Sequence, residues 1–213
     1  MQAQLNECSL GNAQLSNADL SKLHLNQCDL SGAVLADSNL SKAQFYECTL
    51  DATDMRRANL GKADFARSQG RDLDLRQCNL NNLRLSDQCI LPGIRLDDSD
   101  LSDASFQDAD LSHASLRGAR LNNALLSRID LSHSDAFQLV AHDAYLSGCD
   151  LSRANWSGAN LLNARLRKVC LEQTDLSASN LHGLASDSVH GNGVRLEQAL
   201  MTRCRLKECL NHA

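Results

Sequence analysis

From Leu5 onward a large apolar residue returns at every fifth position: Leu10, Leu15, Leu20, Leu25, Leu30, Leu35, Leu40, Phe45, Leu50, Met55, Leu60 and Phe65 follow without a break. Gly70 interrupts the run, and Leu75, Leu80, Leu85 and Ile90 continue it. After one extra residue near Leu91-Pro92-Gly93 the count resumes at Leu96 and reaches Leu206. This makes 41 five-residue units, with leucine at 29 centres and Ile, Met, Phe or Trp at 7 more. A period of five is compatible with very few folds. On an α-helix successive centres lie about 500° apart and wander around the axis. On a strand, five is odd, so successive centres change face. Only a chain that turns once per unit aims every centre at a common axis.

A second column, two residues before each centre, is mostly Ala, Ser, Cys or Thr, as at Ala3, Cys8, Ala13, Ala18, Cys28 and Ala33. One large and one small residue therefore fill each interior layer, and the other three positions face solvent. Asp or Asn often precedes the centre and Ser often follows it, as in Asp19-Leu20-Ser21 and Asp110-Leu111-Ser112. Stacked coils pair through their backbones about 4.8 Å apart, as neighbouring strands do. Stability then comes from contacts between adjacent coils, and no single coil is expected to stand alone.

Composition narrows the function. Aromatic residues are 3% of the 213 positions and there is one proline, a poor match to a mixed α/β enzyme of this size. No apolar run approaches the ~20 residues of a membrane helix, so no membrane association is expected. A net charge of −5 argues against direct nucleic-acid binding, which needs a basic face. Met1 to Glu7 lacks the basic start and apolar stretch of a secretory signal. With nine cysteines, this points to reduced thiols and a cytoplasmic location.

Four segments carry a specific motif in full: Ala18-Asp19-Leu20-Ser21-Lys22, Ala58-Asn59-Leu60-Gly61-Lys62, Ala109-Asp110-Leu111-Ser112-His113 and Ala159-Asn160-Leu161-Leu162-Asn163. They resemble the A(D/N)LXX repeat of the pentapeptide-repeat proteins, and the resemblance spans roughly residues 3–208. It implies an all-β fold, a right-handed quadrilateral β-helix with four units per coil and about ten coils, forming one solenoid domain over residues 1–213. A convex rod offers no large pocket of the kind catalysis uses, so the expectation is a non-catalytic protein-binding module with no cofactor and no metal. Within the family, the quinolone-resistance and topoisomerase-protection group are dimeric acidic rods that enter the DNA groove of gyrase. This chain is similar to them in length and solenoid content, which makes DNA mimicry toward gyrase or topoisomerase the specific expectation. It differs from them in its mild net charge, in having no extended loop, and in showing no terminal dimerisation helix. The other expectation is a structural or docking scaffold, such as an accessory or effector-associated protein of a bacterial secretion system.

Departures from the pattern supply the candidate sites. The large centre is lost at Ser68–Gly70, Ser134–Ala141 and Leu184–Gly191, where the small partner has often grown, as at Leu139, Leu184 and Val189. Such swaps conserve interior volume. The extra residue within Cys89–Ile94 predicts a bulged corner at Pro92-Gly93. Neither end shows a cap, so a homodimer through a solenoid end is expected. Cys8, Cys28, Cys48, Cys78, Cys149, Cys204 and Cys209 fall in interior slots, whereas Cys89 and Cys170 fall one place later and should face outward. His113, His133 and Arg153 share one outward column, either as solvated surface or as a small-anion site. No nucleophile elbow, phosphate loop or metal-ligand spacing occurs. The charge pattern is more informative. Asp97, Asp98, Asp100, Asp103, Asp108 and Asp110 lie between Leu96 and Leu116 with no Lys or Arg among them. Spread over four consecutive faces, they predict an acidic girdle as the partner-binding surface.

Overall fold

The computed structural model describes residues 3–210. Ten three-residue strands recur at intervals of 20 or 21 residues: β1 (Gln4–Asn6), β2 (His24–Asn26), β3 (Gln44–Tyr46), β4 (Asp64–Ala66), β5 (Arg84–Ser86), β6 (Ser105–Gln107), β7 (Leu125–Ser127), β8 (Tyr145–Ser147), β9 (Arg165–Arg167) and β10 (Ala185–Asp187). They form one parallel sheet in sequence order. Each strand marks one coil, and the other three faces are joined rung to rung by isolated parallel bridges such as Ser9↔Asp29, Gln14↔Val34 and Asp19↔Asn39. Nine rung intervals of about 4.8 Å make a rod roughly 45 Å long. We call the sheet the strand face. The second, third and fourth faces are centred in the first coil on Leu10, Leu15 and Leu20.

Backbone bonding explains the period. Leu10, Leu15 and Leu20 accept from the amides of Ala13, Ala18 and Leu23, three residues on, at 3.0–3.2 Å. The third residue of each turn, Asn12, Asn17 and Lys22, has φ near +60°, the signature of type II turns. That conformation repeats down the chain, and no β-branched residue occupies it, as sterics require. The Asp before a centre and the Ser after it are now accounted for: Asp29, Asp110, Asp130 and Asp150 each accept from the backbone N–H two residues on, at 2.8–2.9 Å. These side chains fix the turn locally.

The interior is filled as the two columns predict. Leu30, Leu40, Leu50, Leu60, Leu80 and Leu111 are buried with their small partners Cys28, Ser38, Cys48, Ala58, Cys78 and Ala109. Phe45 and Phe65 stack on adjacent rungs, with centroids 4.3 Å apart and planes 7° apart. Where the centre is lost, neighbours supply the volume. Leu139 is buried beside Ala141, and the small Ala136 lies one rung from Trp156, whose indole N–H reaches the Ser134 hydroxyl at 3.4 Å. At Gly70 a Cβ would lie 2.6 Å from the Leu50 carbonyl carbon, so the coil closes in there and Leu73 fills the layer.

Three expectations need correction. The extra residue enters at Asp87-Gln88, both left-handed, not at Pro92-Gly93, which form an ordinary turn. The register therefore shifts before Cys89: Leu91 is the buried centre, Ile90 is 50% exposed, and Cys89 occupies an interior slot. Cys89 consequently does not face outward. The C-terminal end is also not bare. A short helix, α1 (Leu206–Leu210), lies against the last coil with Leu206 fully buried. At the other end Leu5, Leu10, Leu15 and Leu20 are only half-buried and border an apolar cavity of about 110 Å³.

Candidate functional site

The outward columns are where function has to reside, because the interior is closed. Stacking in register places residue i beside residue i+20, or i+21 across the insertion. Charged pairs use this geometry repeatedly. Arg57 meets Asp37 at 2.7 Å, Arg67 meets Glu47 at 3.4 Å, Arg95 meets Asp74 at 3.7 Å, and Arg195 meets Asp175. Arg117 pairs instead with Asp135 at 2.6 Å and lies over the Phe137 ring, 5.0 Å from its centroid.

This geometry changes the character of the six-aspartate girdle. Asp108 receives both Nε and Nη2 of Arg128, at 2.5 and 2.7 Å, and that guanidinium holds its carboxyl below the usual range. Asp100 is pushed upward by partial burial, but Ser102 and then Arg120, 3.6 Å away, outweigh this and hold it low. Asp97 accepts from the Ser115 hydroxyl and from the Arg117 amide at 3.1 Å. Asp110 accepts the Ser112 amide at 2.9 Å. Asp98 and Asp103 occupy left-handed corner positions. All six lie outside the buried core, as expected. They encircle the rod but do not form a bare acidic surface, because the next coil lays arginines on two of them. The sequence count missed this by reading charge along the chain instead of across rungs.

The histidine column is real: the His113 and His133 rings stack with centroids 4.8 Å apart and planes 12° apart. The interior thiols resemble the buried hydroxyls in their bonding. Cys78 and Cys89 point their sulfurs at the Met55 and Phe65 carbonyls of the preceding coil, at 3.0 and 3.2 Å. Thr53 and Ser99 do the same toward Leu30 and Leu75. Burial pushes the Cys48 thiol up to about 11 and Cys78 up to about 12. Cys170 alone keeps the outward place expected of it, half-buried, its sulfur 3.2 Å from the Ser152 hydroxyl. No group of three metal-ligating side chains occurs among the described residues. Among them, no helix is long and apolar enough to cross a membrane.

A four-sided coil with a large and a small residue per side, stacked in a parallel ladder, defines a class of solenoid rods whose recognition chemistry is confined to outward columns. The chain belongs to the pentapeptide-repeat family. A family model for a pentapeptide repeat region matches residues 1–85, and one for pentapeptide repeats (8 copies) matches residues 87–118 and 143–183. Among solved structures it is similar to HetL, a pentapeptide repeat protein involved in heterocyst differentiation regulation from the cyanobacterium Nostoc sp. strain PCC 7120. The identity is 27% over 95% of this chain and 86% of that one, with a TM-score of 0.60. A trypsin-treated variant of QnrB1, a plasmid-mediated fluoroquinolone resistance protein, matches at 19% identity over 90% of this chain and 92% of its own, with a TM-score of 0.47. No curated protein sequence matches.

Proposed function

We propose that this chain is a non-catalytic docking rod that binds a protein partner through its outward columns, as a scaffold and not as a polyanion mimic. The observation that carries this reading is the pairing of charges across rungs. Arg120 and Arg128 sit on Asp100 and Asp108, while Arg57, Arg67, Arg95 and Arg195 cover other carboxylates in the same way. A surface that mimics nucleic acid has to present uncompensated negative charge, since polyelectrolyte recognition depends on it. A mixed-charge surface instead favours orientation and partner choice. The likeness to HetL, a protein described as regulatory, supports the same reading.

A second reading, DNA mimicry toward gyrase, is favoured by Asp97, Asp98, Asp103 and Asp110, which have no cation within salt-bridge distance among the described residues. A gyrase supercoiling assay separates the two. A docking rod leaves supercoiling unchanged at micromolar protein. A mimic inhibits it, loses potency steeply with salt, and weakens when Asp97, Asp98, Asp100, Asp103, Asp108 and Asp110 are all changed to Asn.

A further inference from the structure

A groove of about 500 Å³ runs along the third face, lined among others by Arg56, Arg57, Arg76, Asp97, Asp98 and Arg117. Three of these arginines are gripped from one side by carboxylates. Arg57 donates Nε and Nη2 to Asp37 at 2.8 and 2.7 Å. Arg56 donates the same pair to Asp54 at 2.9 and 2.7 Å, and Arg76 to Asp74 at 2.9 and 2.7 Å. Two of the carboxylates lie below their arginines: the Asp54 and Asp74 side chains are 20% and 12% exposed, against 42% for Arg56 and 32% for Arg76, while Asp37 is nearly as exposed as Arg57.

Each fork uses Nε and Nη2, so Nη1 of all three arginines has no hydrogen-bond partner among the described residues. A guanidinium carries five donors in a fixed plane, and its second edge matches an oxyanion as well as the first matches a carboxylate. Because the carboxylates already hold the forks in place, little side-chain freedom remains to be lost on binding. Arg117 is likewise fixed, by Asp135 and the Phe137 ring. Asp97 accepts only from neutral donors, the Ser115 hydroxyl and the Arg117 amide, so it and Asp98 are both groove carboxylates without a paired cation among the described residues, and Asp98 is the exposed one of the two.

We propose that this groove is a binding site for a phosphate-class oxyanion, held by the free edges of Arg56, Arg57 and Arg76 and opposed by Asp98. The site is independent of the docking reading and stands or falls separately from it. Arginine Nε resonances of the full chain, followed by proton–nitrogen NMR, are titrated with sodium phosphate and with sodium chloride at matched ionic strength. Phosphate should give saturable shifts at Arg56, Arg57 and Arg76, with chloride giving none. Arg57→Gln should weaken binding about tenfold through loss of a charge-assisted pair. Asp98→Asn should strengthen it about threefold by removing a like charge, and this variant leaves all three forks intact. Lys42→Gln, on another face, should change nothing. A phosphoserine peptide run on the same variants tells a carried phosphate from a free one, and saturable binding of either at these arginines supports the site. Shifts equal in chloride, shifts spread over every arginine, or affinity untouched by both groove variants would overturn it.

Discussion

Ala136 and Trp156 offer the sharpest test of how the interior tolerates a broken repeat. The Asp135↔Asn155 bridge places them on adjacent rungs of the third face, Trp156 is 2% exposed, and Ala136 is fully buried. Trp156→Leu removes roughly 60 Å³ of side chain, and at about 24 cal/mol per Å³ the cavity alone costs ~1.5 kcal/mol. With the lost transfer energy the total is about 3 kcal/mol. Ala136→Leu adds three carbons to a closed layer and costs about 2 kcal/mol. If the two share one volume, the double variant conserves it and loses only about 1 kcal/mol, the residue reflecting a Ser134 hydroxyl deprived of the indole N–H. The single losses would then exceed the double by about 4 kcal/mol. Urea titration followed by far-ultraviolet circular dichroism gives all four corners of the cycle, since Trp156 is the only tryptophan and its fluorescence disappears with it. Additivity within about 0.5 kcal/mol would refute the shared layer.

Other outcomes follow from inward and outward placement. Leu111→Ala should cost about 3 kcal/mol in denaturant unfolding, while His113→Asn, at a left-handed corner that Asn tolerates, should stay within about 0.5 kcal/mol. Iodoacetamide at pH 8 should label Cys170 and leave Cys48, Cys78, Cys89 and Cys149 unreacted, read by peptide mass spectrometry; labelling of native Cys89 would contradict its interior slot. Asp64 has a buried Oδ1 with no hydrogen-bond partner among the described residues, and burial raises its pKa. Its charged form therefore costs stability at neutral pH, and the cost fades as pH falls through the raised value. Asp64→Asn should stabilise by about 0.5 kcal/mol at pH 7, a figure discounted for partial exposure, and should show no gain at pH 3. Asp54 and Asp108, held low by Arg56 and Arg128 respectively, shift the opposite way: their contribution is full above the ordinary carboxylate value and is lost as pH falls through their lowered values.

Much of this architecture is legible in the sequence because an interior column repeats one physical demand at every rung. Leucine at the centre and Ala, Ser or Cys two places earlier are enough to sort inward from outward positions. The insertion is less legible, because Ile90 and Leu91 are both apolar and either can serve as a centre. The available signal is Cys89: moving the extra residue to Asp87-Gln88 returns it to the small column and buries Leu91 in place of Ile90. The helix α1 is hidden for a similar reason, since Leu206 falls on the five-residue period and is buried in either conformation. The charge pairing is written plainly in the numbering, as Asp37 and Arg57, Asp100 and Arg120, Asp108 and Arg128 are each 20 apart. It emerges only when acids are compared with the next coil instead of with their sequence neighbours. The three forks on Asp37, Asp54 and Asp74 are less accessible to sequence reasoning, because two of them close within a unit and depend on side-chain direction.

Whether cross-rung arginines convert the acidic girdle into a mixed-charge docking surface is tested most directly by gyrase supercoiling. Purified wild type is compared with the variant carrying Arg120→Gln and Arg128→Gln. These two changes uncover Asp100 and Asp108 while leaving the core untouched. For a docking rod whose carboxylates are covered, wild type leaves supercoiling unchanged at micromolar concentration, and inhibition emerges only in the variant that uncovers Asp100 and Asp108. Inhibition by wild type that disappears when the six girdle aspartates are changed to Asn would contradict the docking rod.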